Sequence, residues 1–147
     1  MIQRIQSVFL LLAAASAFCL LAFPFASTSE VVANSANFSD GLFNLQDNIG
    51  MMVLFIAAGA LALISIFLYS NRKRQLLIGR FAIIANVIGL ILAFAIYYND
   101  SDSIAETVAI NDEAGLYMPI VFLVFALLAQ RFINKDEKLV KSMDRLR

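Results

Sequence analysis

The chain has 147 residues, 61% of them apolar and 15% charged, with eleven basic side chains, eleven acidic ones, one cysteine and no histidine. Soluble domains are about half apolar, so this composition excludes an ordinary soluble fold and predicts a single membrane domain. One cysteine excludes an internal disulfide, and without histidine there is no donor set for a Cys/His metal centre.

A hydrocarbon core about 30 Å thick is crossed by about 20 helical residues. Four uncharged windows meet that requirement: residues 5–29, 48–71, 81–99 and 114–130. They predict transmembrane helices over 5–25, 50–70, 77–98 and 116–134. The fold class expected is all-α, a four-helix transmembrane bundle with two loops on one side of the bilayer, 26–49 and 99–115, and a tail, 135–147. The fourth window is the shortest, and the aliphatic stem of Arg131 lets its charge reach the headgroups while Phe132 and Ile133 add to the span.

In helix one, Arg4 before a long apolar run also fits a secretory signal. The run is longer than a signal core, and Pro24 and Phe25 stand where small residues are needed, so the segment is read as a retained span. Phe18 is too bulky to precede a lipid-attachment cysteine, which leaves Cys19 as a lipid-facing or helix-packing residue. In the first loop Phe38, Leu42, Leu45 and Ile49 recur at helical spacing. They predict a short amphipathic helix that lies on the leaflet or caps the bundle. Helix two carries Ala57, Ala58, Gly59, Ala60 and Ala62, which match the small residues Ala13 to Ala17 of helix one. The connection over 71–75 is short, which makes helices two and three antiparallel neighbours.

On helix three, Ala82, Ala85, Asn86, Gly89 and Ala93 form a small and polar stripe. The spacing of Ala85, Gly89 and Ala93 permits close backbone approach. Asn86 stands out because a buried amide is costly without a partner and locks helices together with one. Packing within the bundle is the simpler role for this stripe, and a face reserved for another subunit is the alternative. Ser16 and Ser65 can bond back to their own helices. In the second loop, Thr107 to Ile110 is a β-favouring run that would pair with Val31 and Val32 in a two-stranded cap, a marginal structure alone.

Tyr69, Tyr97, Tyr98 and Tyr117 mark the predicted membrane boundaries, where an aromatic ring is buried and its hydroxyl stays wet. Pro119 is expected in the first turn of helix four, where its missing N–H breaks no bond. Beyond the span, Leu139, Val140, Met143 and Leu146 share one side of an amphipathic tail, with Glu137 and Lys141 spaced for an ion pair. The tail continues helix four against its neighbours or docks a cytoplasmic partner.

With four spans, all eleven basic residues fall on one side of the bilayer: Arg4, then Arg72, Lys73, Arg74 and Arg80, then Arg131, Lys135, Lys138, Lys141, Arg145 and Arg147. Eight acids fall on the other: Glu30, Asp40, Asp47, Asp100, Asp102, Glu106, Asp112 and Glu113. Basic bias sets orientation, so both termini are expected in the cytoplasm and both long loops outside. Arg72, Lys73, Arg74 and Arg80 also suit anionic lipid headgroups, at roughly 1 kcal/mol per charge near the surface. Because orientation already requires these charges, no nucleic-acid partner is expected.

No ionisable residue falls in the interior of a predicted span, which argues against proton-coupled transport by this chain alone. The sequence offers no nucleophilic triad and no phosphate-cradling glycine loop. No catalytic residue and no cofactor are therefore expected. The outer acid pairs Asp100 with Asp102 and Asp112 with Glu113 are candidate cation ligands, though solvated loop charge is the simpler reading.

The ends carry the most distinctive residues: Met1-Ile-Gln-Arg-Ile-Gln-Ser, then Gly115-Leu-Tyr-Met-Pro-Ile, then Lys135-Asp-Glu-Lys-Leu-Val-Lys-Ser-Met-Asp-Arg-Leu-Arg147. Across its whole length the chain resembles the bacterial family called domain of unknown function 4293, short four-span inner-membrane proteins. The resemblance implies four helices, both termini in the cytoplasm and a place in the bacterial inner membrane, and it implies no activity. The function expected is a non-enzymatic accessory or scaffold subunit whose partners are the lipid bilayer and other integral membrane subunits or further copies of itself. The alternatives are an oligomeric transport or channel component, with Asn86 and Ser65 facing the path, and a lipid-modifying or lipid-binding protein.

Overall fold

The computed structural model describes residues 2–29, 38–101 and 108–144. Four helices account for most of them: α1 (Ile2–Cys19), α2 (Ile49–Phe67), α3 (Arg72–Ser101) and α4 (Ala114–Asp144). Three short strands, β1 (Ala26–Thr28), β2 (Leu42–Phe43) and β3 (Ile110–Asp112), form an antiparallel sheet in the order β2-β1-β3. Among the described residues, α2, α3 and α4 are long and apolar enough to cross a membrane, and α1 is a shorter apolar helix.

Each helix packs on two others, α1 on α2 and α4, and α3 on α2 and α4. The α2–α3 pair is antiparallel, since Gly50 lies against Leu92 at one end and the Ser65 hydroxyl donates to the Gln75 carbonyl at the other. In the α1–α4 pair, Phe9 stacks on Phe125 and Phe132, while the chain beyond α1 meets Gly115 through Pro24. The start of α1 and the end of α4 therefore lie at the same end as the turn joining α2 to α3. That end is called the turn end below, and the opposite one the sheet end.

Several sequence expectations are corrected. The first helix stops at Cys19 rather than reaching 25. Its last carbonyls are taken up by turn bonds from Leu21, Ala22 and Phe23, and Pro24 disfavours a helical Phe23. Phe25 then lies extended between two strands, donating to Phe43 O at 2.8 Å and accepting from Glu113 N at 3.0 Å.

The short helix expected through Phe38, Leu42, Leu45 and Ile49 is absent. Gly41, at φ 80°, turns the chain in a conformation that favours glycine, Leu42 enters β2, and a 3-10 turn covers Leu45–Asp47. Phe38 and Leu45 are buried, whereas Leu42 and Ile49 are exposed. The cap is a three-stranded sheet centred on Ala26–Thr28, with Ala26 facing Asp112 and Phe43. Val31, Val32 and Thr107, expected in a two-stranded version, lie outside the described residues.

The later helices exceed their expected bounds. Helix α3 begins at Arg72 and runs to Ser101, and α4 runs unbroken from Ala114 to Asp144, so that most of the tail continues it as a helical extension, as expected. Pro119 is more than one turn inside α4. The Asn48 side chain starts α2 by accepting from Gly50 and Met51 N–H, satisfying donors that a helix N-terminus leaves free.

The core has three layers. At the sheet end, Leu20, Phe25, Phe38, Phe43, Leu45 and Phe55 pack together. The waist is mainly alanine, with Ala13, Ala14, Ala17, Ala58, Ala62, Ala82 and Ala126 around Phe122. Leu10, Leu76, Ala129 and Ile133 fill the turn end. Large apolar residues instead face outward, as Leu77, Phe81, Ile84, Ile88 and Ile91 do along α3. Small residues inside and branched ones outside suit a bundle solvated by lipid, where close backbone packing rather than water exclusion joins helices.

Candidate functional site

The stripe singled out on α3 turns inward. Asn86 is fully buried and donates from Nδ2 to the Pro119 carbonyl at 3.2 Å, tying α3 to α4. Its Oδ1 has no hydrogen-bond partner. A side-chain carbon at Gly89 would meet the Phe55 ring at 3.1 to 3.3 Å, so the missing Cβ is what lets α2 approach. Ala93 joins the aromatic layer and Ala85 borders the waist.

About three helical turns from Asn86, the turn end holds a second polar group, of which the sequence singles out Ser65 alone. Gln6, Ser65, Gln75 and Gln130 are buried, one from each helix. Gln130 Nε2 donates to the Leu76 carbonyl at 3.1 Å and Ser65 Oγ to the Gln75 carbonyl at 3.2 Å, so α2 and α4 both bond to the first turn of α3. Gly79 makes room for the Gln130 amide, which would overlap any Cβ there. Gln6 Nε2 and Gln75 Oε1 are left without partners, a donor and an acceptor inside the same bundle. The available signal was phase: Gln75, Gly79, Ala82 and Asn86 recur at helical spacing on one face. Gln130 stands at a window edge and Gln75 in the connection over 71–75, where polar residues are ordinarily interfacial.

At the rim of this group Arg72 Nε pairs with Asp136 Oδ2 at 2.8 Å, joining the starts of α3 and the extended part of α4. Of the four residues expected to meet anionic lipid, Arg72 is thus engaged within the chain, while Lys73, Arg74 and Arg80 are exposed. In the extension, Leu139 is 44% exposed and Val140 half-buried. The side chains of Lys141 and Met143, and all of Leu146, lie outside the described residues, and with them the expected Glu137–Lys141 pair.

Of the acids expected outside, Glu113 accepts from the Ser27 hydroxyl at 2.8 Å, and Asp102 lies beyond the described residues. Among the described residues no three Cys, Asp or Glu side chains gather as a metal site. The buried groups are neutral amides and hydroxyls. They can exchange hydrogen bonds with one another, with water or with a neutral ligand, and they bear no charge to relay a proton.

The chain matches the family described as Domain of unknown function (DUF4293) over residues 2–146, and it belongs to that family. No curated protein and no solved structure matches it.

Proposed function

We propose that this member of the DUF4293 family is a non-enzymatic four-span protein of the bacterial inner membrane, with the turn end in the cytoplasm, serving as an accessory or scaffold subunit of a larger membrane assembly. The orientation is supported by charge: the exposed Lys73, Arg74, Arg80, Arg131, Lys135 and Lys138 all sit toward the turn end, where the positive-inside rule puts them in the cytoplasm. At 18 residues α1 is about 27 Å long. It crosses as the fourth span with help from the apolar residues that follow it, Leu20 to Phe23.

The observation that carries the subunit reading is the length of α4. Its 31 residues make about 46 Å of helix, well beyond a core of about 30 Å, and the projecting end presents exposed Leu139 next to Lys138 and one turn beyond Lys135. An apolar residue held out in the aqueous phase on a rigid helix suits a helix-in-groove contact with a partner. Purification of the natively expressed, tagged chain in mild detergent, followed by mass spectrometry, tests this. A stoichiometric membrane partner that is lost from Leu139→Glu is the expected result. A monomer or homo-oligomer without partner, for the unmutated chain, would overturn it.

A further inference from the structure

The sheet end contains a cavity of about 160 Å³. Its inner wall is Phe25 and Phe43, whose rings lie 5.6 Å apart, together with Ala93, whose small side chain leaves the volume open. One face of α3 completes the side through Leu90, Phe94 and Tyr97, and Asp112 of β3 stands at the rim. Leu116 of α4 also lines the cavity, and the adjacent Gly115 packs so closely on the chain after α1 that a Cβ would overlap the backbone carbonyls of Phe23 and Pro24. The shape is therefore built into the junction of sheet and bundle.

Phe94 is itself exposed, and on either side of it along α3 stand Ile91, 64% exposed, and Tyr98, 70% exposed. The cavity is thus continuous with the apolar outer face of α3, so an occupant arrives from the bilayer. An apolar cavity of about 150 Å³ accommodates a benzene-sized group, so this one takes part of an acyl chain and leaves the rest outside. Its polar end is selective by charge. Among the described residues every lysine and arginine belongs to a segment at the turn end, whereas Asp40, Asp47, Asp100, Asp112 and Glu113 belong to the sheet end. Asp112 makes no ion pair among the described residues, and no basic side chain is nearby to welcome a bare phosphate.

We propose that this cavity is a binding site for a bilayer phospholipid with a primary-amine headgroup: the acyl chain enters between α3 and the sheet, and the ammonium group donates to the Asp112 carboxylate beside the Tyr97 hydroxyl. A primary ammonium supplies hydrogen-bond donors that a quaternary one lacks, and a charge-assisted bond to carboxylate is stronger than a neutral one. The inference depends on the chain being a membrane protein and is independent of the subunit reading.

The test is native mass spectrometry of the full chain, delipidated in mild detergent and supplied with equal amounts of phosphatidylethanolamine, phosphatidylglycerol and phosphatidylcholine. The ethanolamine lipid should be retained roughly fivefold or more over the other two, the ratio that about 1 kcal/mol gives. Asp112→Asn, an exposed strand residue whose backbone pairing is unaffected, should remove the preference, and Leu90→Trp, which fills the cavity, should lower retention of all three lipids. Equal retention by the unmutated chain, a preference that survives Asp112→Asn, or full retention by a Leu90→Trp protein of unchanged helicity would each overturn the proposal.

Discussion

The two ends of the bundle are held by different forces. At the sheet end the interior is aromatic: Phe25 sits 5.6 Å from Phe43 and 6.0 Å from Phe55, and Phe38 packs on Phe43. Backbone pairing among three strands closes it. At the turn end the interior is amide and hydroxyl, with Ser65 and Gln130 bonded to the first turn of α3, two further amide atoms unpartnered, and one ion pair at the rim. The sheet flanks the last turns of α3, and in the proposed topology it lies toward the aqueous phase, where water makes apolar burial favourable. Between the helices, lipid is as apolar as the side chains, and association relies on close fit and modest hydrogen bonds. The sheet end should therefore be the more costly to disturb.

Substitutions can break that ranking. The largest effect is expected from Phe43→Ala, which empties the centre of the aromatic layer; such truncations cost about 3 to 5 kcal/mol, read as a large fall in the thermal midpoint in detergent. Gly115→Val comes next, because the clash falls on backbone that cannot swing aside. Overpacking of this kind costs about 1 to 3 kcal/mol, and hydrogen exchange should show β1 and β3 losing protection while the turn-end halves of α2 and α3 keep theirs. Asn86→Leu removes one interhelical bond, worth about 0.6 kcal/mol on average in membrane proteins, so its midpoint should move little. A collapse of Asn86→Leu comparable to Phe43→Ala would show that the polar group, not the aromatic layer, holds the bundle.

The smallest effect belongs to Asp136→Asn. Its partner Arg72 is 26% exposed and Asp136 14% exposed, so the pair resembles a surface bridge worth about 0.2 to 1 kcal/mol. The difference from the unmutated protein should shrink further as salt is raised from low to physiological strength. A loss that is large and insensitive to salt would instead make this pair part of the buried turn-end network.

The same contrast explains what the sequence disclosed. The helices were legible because length and charge exclusion are properties of whole segments, and the α2–α3 contact followed from a connection too short to allow another neighbour. Close packing by Gly89 was legible from small-residue spacing, and structure adds that Phe55 fills the space. The sheet was legible only as a small cap using the run that ends at Ile110; its central strand was not. Ala-Ser-Thr at 26–28 has no apolar alternation, and it becomes a strand because Pro24 ends the helical path and Phe25 finds partners on both sides. The helical spacing of Phe38, Leu42, Leu45 and Ile49 was coincidental, since Gly41 reverses the chain between the first two. Gln6, Gln75 and Gln130 were overlooked because polar residues near window ends or in connections usually meet headgroups, whereas here α3 begins early enough to carry Gln75 inside.

The central assignment is that the sheet end faces outward and the turn end the cytoplasm. In a Cys19→Ala background, single cysteines at the exposed positions Ser39 and Asn71 can be treated in intact cells with a membrane-impermeant thiol reagent. Labelling of Ser39→Cys in intact cells, with Asn71→Cys labelled only after lysis, is the predicted result. Labelling of Asn71→Cys in intact cells while Ser39→Cys stays protected would contradict the assignment and remove the basis for the cytoplasmic docking helix.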